Sequence, residues 1–227
     1  MIIINGASRG IGKFLFESYF GKNEQVIGTY NSTKPKDNLD FFENLDVTNQ
    51  NSVSTFVKKI TPKLNDITLI NCAGITYNSY AHKAEIDKWT KVIDVNLIGV
   101  FRLIHSILPI MREQGFGRII NFSSVVAQRG TPGASAYASS KSALWGLARS
   151  LAVENASKGI TINSLNLGYF DIGMIEEVPE DYRSTIIETI PNKRFGHPSE
   201  ILNSIEYLRN NSYVNGTSIN INAALYD

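Results

Sequence analysis

Tyr137 and Lys141 stand four residues apart in Tyr137-Ala138-Ser139-Ser140-Lys141, inside a stretch patterned as a helix. At that spacing both side chains project from one helix face. A free tyrosine, with a pKa of about 10, is a poor proton donor or acceptor near neutrality. An ammonium beside it favours the phenolate and brings proton transfer into range. Taken alone the pair is a common chance pattern, and surface packing is its default reading. Upstream, Ser123 and Ser124 end the strand-like run Arg118-Phe122, with thirteen residues between the positions of Ser124 and Tyr137.

A second constellation opens the chain. Asn5-Gly6-Ala7-Ser8-Arg9-Gly10-Ile11-Gly12 follows a short apolar run, Ile2-Ile4, and leads into a helical pattern. Glycines at 6, 10 and 12 let the backbone turn tightly and approach a pyrophosphate, whose charge then meets the N-terminus of a helix. The spacing is G-x-x-x-G-x-G rather than G-x-G-x-x-G. One cysteine and three histidines (Cys72, His82, His105, His197) are widely scattered, so no metal site is expected. A lone cysteine also excludes an internal disulfide and favours a reducing, cytoplasmic setting.

These residues need a scaffold, and the pattern supplies one. Strands are expected at Ile2-Ile4, Gln25-Tyr30, Phe42-Leu45, Ile67-Ile70, Arg118-Phe122, Thr161-Leu165 and Ser218-Ile221. Helices are expected near Ile11-Phe20, Asn51-Ile60, Ile86-Met111, Ala134-Ala156 and Ser199-Asn210. Several strands are apolar throughout, as when helices cover both faces of a parallel sheet. The alternation predicts an α/β, Rossmann-type, doubly wound sheet of about seven strands, forming a single domain over residues 1–227. Two polar interruptions, 31–37 and 168–198, would then lie at the carboxyl ends of strands, where ligands bind. The second is long enough for a lid or substrate loop.

Composition narrows the class. The 227 residues carry a net charge of +1 without a basic run, which argues against nucleic acid or an anionic membrane as partner. The opening apolar run is too short for a signal peptide. Val100-Met111 is interrupted by Arg102 and His105, so no bilayer span is expected.

Taken together, Gly6, Asn71-Cys72-Ala73-Gly74, Asn96, Ser124, Tyr137, Lys141 and Arg194-Phe195-Gly196-His197-Pro198 make the chain resemble the short-chain dehydrogenase/reductase family, in its short single-domain branch. Their order and spacing match over practically the whole length. The resemblance implies that Tyr137 exchanges a proton with the substrate oxygen, and that Lys141 lowers the tyrosine pKa and holds the nicotinamide ribose. It gives Ser124 the task of hydrogen-bonding the substrate oxygen, with Ser123 as the competing assignment, and it gives Asn96 a helix kink and a proton relay through Lys141. The cofactor would be held by Gly6, Ser8, Arg9, Gly10, Ile11, Gly12, Asn31, Ser32, Asp46, Val47, Asn71, Ala73, Gly74, Tyr137, Lys141, Gly168 and Phe170. Asp46 has a plainer alternative as a helix cap ahead of Asn49. Cys72 reads as a small packed residue.

The chain departs from the family pattern at Asn5, where a threonine is usual, at Leu167-Gly168 for Pro-Gly, and at Asn222-Ala223-Ala224 for Asp-Gly-Gly. NAD-dependent relatives end the second strand with an acid. Here it ends Gly28-Thr29-Tyr30-Asn31-Ser32, with Arg9 and Lys34 nearby, which points to NADP(H). The expected substrate is a small carbonyl or alcohol, with 3-oxoacyl thioesters on acyl carrier protein and keto-sugars both open. The residues before Gly115, Met111-Arg112-Glu113-Gln114, are less basic than docking of an acidic carrier suggests. A homo-oligomer, dimer or tetramer, is expected from the apolar long helices. A catalytically idle NADP-binding regulator is the alternative, disfavoured by the presence of both Tyr137 and Lys141.

Overall fold

The computed structural model describes residues 1–225 of the chain. Seven strands form one sheet: β1 (Ile2–Asn5), β2 (Val26–Tyr30), β3 (Phe42–Asn44), β4 (Thr68–Asn71), β5 (Gly117–Ser124), β6 (Ile160–Leu167) and β7 (Ser218–Ile221). Their order is β3-β2-β1-β4-β5-β6-β7, and every pairing is parallel. The expected doubly wound architecture is the one observed, and the last two residues of the expected 1–227 domain lie outside the described part.

Helices cover both faces because the strands are apolar on both. Ile3, Leu69, Ile119 and Ile162 pack beneath α2 (Gln50–Ile60), α4 (Gly99–Gln114) and α6 (Ser135–Asn155), with Phe56, Leu103 and Leu144 among the filling side chains. Ile2, Ile4, Ile70, Ile120 and Leu165 face α1 (Gly10–Phe20) and α8 (Pro198–Asn210) across Phe16 and Ile205. Each such fully buried side chain contributes roughly 1.5–3 kcal/mol of transfer free energy.

One row of the sheet is polar. Thr29, Asn5, Asn71, Asn121 and Ser164 lie side by side on β2, β1, β4, β5 and β6, all buried. Thr29 Oγ1 donates to Asn5 Oδ1 at 3.2 Å, Asn5 Nδ2 to Asn71 Oδ1 at 3.3 Å, and Asn71 Nδ2 to Asn121 Oδ1 at 2.9 Å. At the end of the row Asn121 Nδ2 and Ser164 Oγ find no hydrogen-bond partner among the described residues.

The long helix expected at Ile86-Met111 is continuous from Ile86 to Gln114 but not uniform. It comprises α3 (Ile86–Ile93), a π-helical turn at Asp94–Ile98, and α4; the next helix, α5 (Val126–Arg129), is a single turn after β5. By length and composition this stretch of 29 residues is apolar enough to cross a membrane, a test that a buried core helix also passes. Here its apolar residues Val100, Leu103, Ile104, Ile107 and Met111 are buried in the core instead. Arg102, which breaks the apolar pattern, donates through Nη1 to Asp94 Oδ1 at 2.9 Å and to the Val47 carbonyl at 3.2 Å.

The interval 168–198 is more ordered than a bare loop. It holds a 3₁₀ segment, Gly173–Glu177, and α7 (Glu180–Thr189). Its two ends are stitched together where Asp171 N–H donates to the Gly196 carbonyl and Gly196 N–H to that of Tyr169. His197 then caps α8, its ring nitrogen accepting from Ser199 N–H while Glu200 closes the reciprocal bond to the His197 N–H.

Candidate active site

A cavity of about 890 Å³ lies over the carboxyl ends of the strands and is lined both from β1 and from β4, the two sides of the point where strand order reverses. That is where open α/β sheets bind ligands. Three turns frame it, and each is tied to its neighbour through the backbone. Cys72 and Ala73 N–H groups donate to the Asn5 carbonyl, and Gly6 N–H donates to Thr29 Oγ1 at 3.0 Å. Gly6 has φ +83°, and a Cβ there would lie 2.7 Å from Ala73 Cα, so only glycine lets the first and fourth βα turns meet. The first turn of α1 has no side-chain cap, which leaves its N-terminal N–H groups facing the cavity with the partial positive charge of a helix start.

Of the residues anticipated from sequence, Gly6, Ser8, Arg9, Gly10, Ile11, Gly12, Asn31, Ser32, Asp46, Val47, Ala73, Gly74, Ser124, Tyr137, Lys141, Gly168 and Phe170 all line this one cavity. Asn71 and Asn96 stand behind its wall. Asn71 belongs to the buried polar row. Asn96 occupies the π-helical turn, where Oδ1 accepts from Ile75 N–H and Nδ2 donates to the Ile75 carbonyl, both at 2.9 Å, and to Ser140 Oγ at 3.1 Å. The kink expected at Asn96 is thus a local rewinding, which turns the amide toward the loop carrying Gly74. Asp46 does not cap α2; that task falls to Asn49, whose Oδ1 accepts from Asn51 and Ser52 N–H. Asp46 instead folds its own turn, accepting from Thr48 N–H and Oγ1.

Tyr137, Lys141 and Ser124 converge at one end of the cavity. The Lys141 ammonium lies 5.6 Å from the centre of the Tyr137 ring and donates to the Phe122 carbonyl at 2.7 Å. Burial holds Lys141 down to about 8, against an ordinary lysine value of 10.5. Burial pushes the Tyr137 phenol up, a hydrogen bond with Ser124 pulls it down, and Tyr169 pushes it up again. The net direction is upward because burial outweighs the pull of Ser124, and the short hydrogen bond of Lys141 goes to the strand carbonyl rather than to the phenol. Ser124 Oγ otherwise accepts only the Val126 N–H at 3.2 Å, whereas Ser123 Oγ donates to the Lys141 carbonyl. Ser123 therefore anchors α6 to β5, and Ser124 is the hydroxyl with capacity left for a ligand. Burial also pushes the Cys72 thiol well up, so it is an inert wall residue.

Thr33, and Tyr169 with Ile172–Glu177, complete the wall inside the two polar interruptions 31–37 and 168–198 expected at the ligand-binding edge. Thr29 and Tyr30 on β2, Thr76 and Asn78 on the fourth βα connection, and Lys91 on α3 were not singled out beforehand; of these Thr29 left a signal, as a polar residue in an otherwise apolar strand.

The architecture and the chain have known counterparts. The family model described as short chain dehydrogenase matches residues 1–183. The 3-oxoacyl-[acyl-carrier-protein] reductase of Salmonella typhimurium is 32% identical over 99% of this chain and 96% of that protein. The reductase of the same name from Staphylococcus epidermidis is 31% identical over 99% and 98%. The ligand-free structure of Thermoplasma acidophilum aldohexose dehydrogenase superposes with a TM-score of 0.91 and 28% identity, covering 99% of this chain and 92% of that one.

Proposed function

Because the chain belongs to the short chain dehydrogenase family of oxidoreductases, we propose that it transfers a hydride between NADP(H) and a carbonyl or secondary alcohol, with Tyr137, Lys141 and Ser124 handling the proton and the substrate oxygen. The observation that carries this reading is the convergence of the Tyr137 phenol, the Ser124 hydroxyl and the buried Lys141 ammonium at one end of a cavity that begins at the glycine turn.

The cavity fits a dinucleotide phosphate. The uncapped start of α1 and the backbone of Gly10, Ile11 and Gly12 offer N–H donors to a pyrophosphate. Asn31 and Ser32 at the end of β2 offer neutral hydrogen bonds where a carboxylate would repel a 2′-phosphate, and Arg9 offers a permanently charged planar fork. Bound nicotinamide supplies the hydride chemistry. The protein's own part is positional and protonic. Ser124 donates to the substrate oxygen and steadies negative charge forming there, as an oxyanion hole does. Tyr137 delivers the proton to that oxygen or removes it. Ser124 pulls its phenol back toward working range against burial, and the Lys141 ammonium, held by the Phe122 carbonyl, lies 5.6 Å from the ring centre. Asn96 holds the Ile75 backbone, next to Gly74, which faces Lys141 Nζ, and so keeps the relay end of the cavity in shape.

The 3-oxoacyl thioester reductases and the aldohexose dehydrogenase among the similar proteins favour a ketoacyl or keto-sugar substrate class. The protein works in the cytoplasm as a homo-oligomer, through the apolar face that Ile98 and Phe101 leave 41% and 43% exposed. Replacing Tyr137 with Phe should lower turnover by about 10²–10⁴-fold while NADPH binding stays near normal. Steady-state assays with a panel of 3-oxoacyl thioesters and keto-sugars, paired with calorimetry of NADPH binding, check this; turnover that survives the substitution would refute the assignment.

A further inference from the structure

The guanidinium that NADP(H) binding needs is already engaged. Arg9 Nη1 donates to Glu177 Oε1 at 2.8 Å across the mouth of the cavity, with the two side chains 66% and 69% exposed. Both residues line the same cavity as Asn31 and Ser32. Glu177 is held there by backbone contact. Gly10, at φ +54°, comes so close to Gly173 that a Cβ on Gly10 would lie 2.9 Å from Gly173 Cα. Gly173 N–H donates to Glu176 Oε2 at 3.0 Å, and Arg183 Nη2 on α7 donates to the Glu176 carbonyl at 2.7 Å. The segment Gly173–Glu177 thus lies against the glycine turn with its last carboxylate on Arg9. The other acids of the wall, Asp46 and Glu176, form no ion pair with Arg9, and neither do the cations Lys91 and Lys141 with Glu177.

We propose that Glu177 sets how strongly the protein distinguishes a cofactor bearing a 2′-phosphate from one without it, by competing with that phosphate for Arg9. The inference rests on the reading of NADP(H) as the cofactor and of Arg9 as its phosphate contact. A carboxylate brings one negative charge to the guanidinium, whereas a phosphomonoester brings about −1.5 to −2 and three acceptor oxygens. An ion pair this exposed is weak, so the phosphate displaces it. Glu177 must then leave, or remain and repel the phosphate, and in either case it subtracts from NADPH affinity. NADH makes no such demand and leaves the contact between Arg9 and Glu177 intact. Exchange of partners on Arg9 therefore frees the Glu177 carboxylate for one cofactor and not for the other.

Calorimetric dissociation constants for NADPH, NADH and 2′,5′-ADP, measured on the full chain and on Glu177→Gln, Arg9→Ala and the double variant, test this. Glu177→Gln should tighten NADPH and 2′,5′-ADP by roughly two- to fivefold, the equivalent of one exposed ion pair. NADH should stay within about twofold, and the tightening should vanish when Arg9 is already alanine. The proposal falls if Glu177→Gln leaves NADPH affinity unchanged or weakens it, shifts NADH equally, or acts the same without Arg9. A wild-type protein that binds NADH more tightly than NADPH would instead overturn the cofactor reading itself. A wild-type preference for NADPH with an inert Glu177→Gln would overturn this inference alone.

Discussion

Replacing Lys141 with Met should stabilise the protein, and the gain should fade as pH rises. Burial holds the Lys141 ammonium down to about 8 from 10.5, so the folded state binds this proton more weakly than the unfolded chain does. Below the folded value both states carry the charge, and the folded state bears the full burden of burying it. Between about pH 8 and pH 10.5 only the unfolded chain keeps the proton, so wild-type stability climbs with pH; above that range the burden is gone. The shift corresponds to roughly 3 kcal/mol of destabilisation at pH 7, falling to about 2 at pH 9 and about 1 at pH 10. Methionine keeps the unbranched shape and removes the charge. It also strips the Phe122 carbonyl of its bond from Nζ, a loss of about 1–3 kcal/mol, but neutral lysine keeps that bond, so the loss does not vary with pH. Cys72 and Tyr137 are pushed upward in the fold and titrate in the unfolded chain, but both proteins share this contribution, so it cancels in the comparison. Urea unfolding of the two proteins between about pH 7 and pH 10 should show their stability difference shrinking by about 2 kcal/mol. A difference that stays flat with pH would refute the reasoning, whatever its sign.

Two further outcomes follow from buried and exposed surfaces. Ser164→Ala removes a buried hydroxyl that has no partner among the described residues, so it should leave stability unchanged or raise it by up to about 1–3 kcal/mol in urea melts; a clear loss would mean the hydroxyl is bonded in solution. Light scattering at micromolar concentration should give a multiple of the 25.2 kDa chain mass, and a lone monomer would refute the assembly expected from Ile98 and Phe101.

Much of the scaffold was legible because its signals are local. A strand such as Ile2–Asn5 is apolar along most of its length and followed by helical periodicity, which points to a covered parallel sheet. The cavity residues on the glycine turn and on α6 announced themselves by spacing. What stayed hidden depends on contacts between distant segments. A kink at Asn96 was expected from the family resemblance, but its π-turn form was not, since the extra residue per turn is stabilised by the bonds of Asn96 to Ile75 and Ser140. The division of labour between Ser123 and Ser124 appears only once α6 is docked on β5. The same holds for α7 inside 168–198: its weak amphipathicity and lack of buried residues give the sequence no periodic signal to read.

The polar row across the sheet has a consequence for how the strands find their alignment. In a sheet with one wet face, slipping a strand by a single residue turns its apolar side toward water, and the cost fixes the pairing. Here β1, β4, β5 and β6 are buried on both faces, so the hydrophobic term is nearly blind to such a slip. Asn5, Asn71 and Asn121 are not blind to it. Each would carry an amide into an aliphatic layer and leave its neighbour unbonded, at roughly 1–3 kcal/mol per stranded group. Their chain of amide bonds works as a notch that admits one alignment. Since a slip moves a strand end by about 3.3 Å, that notch also decides whether Ser124, at the tip of β5, arrives opposite Tyr137 or a full residue away from it.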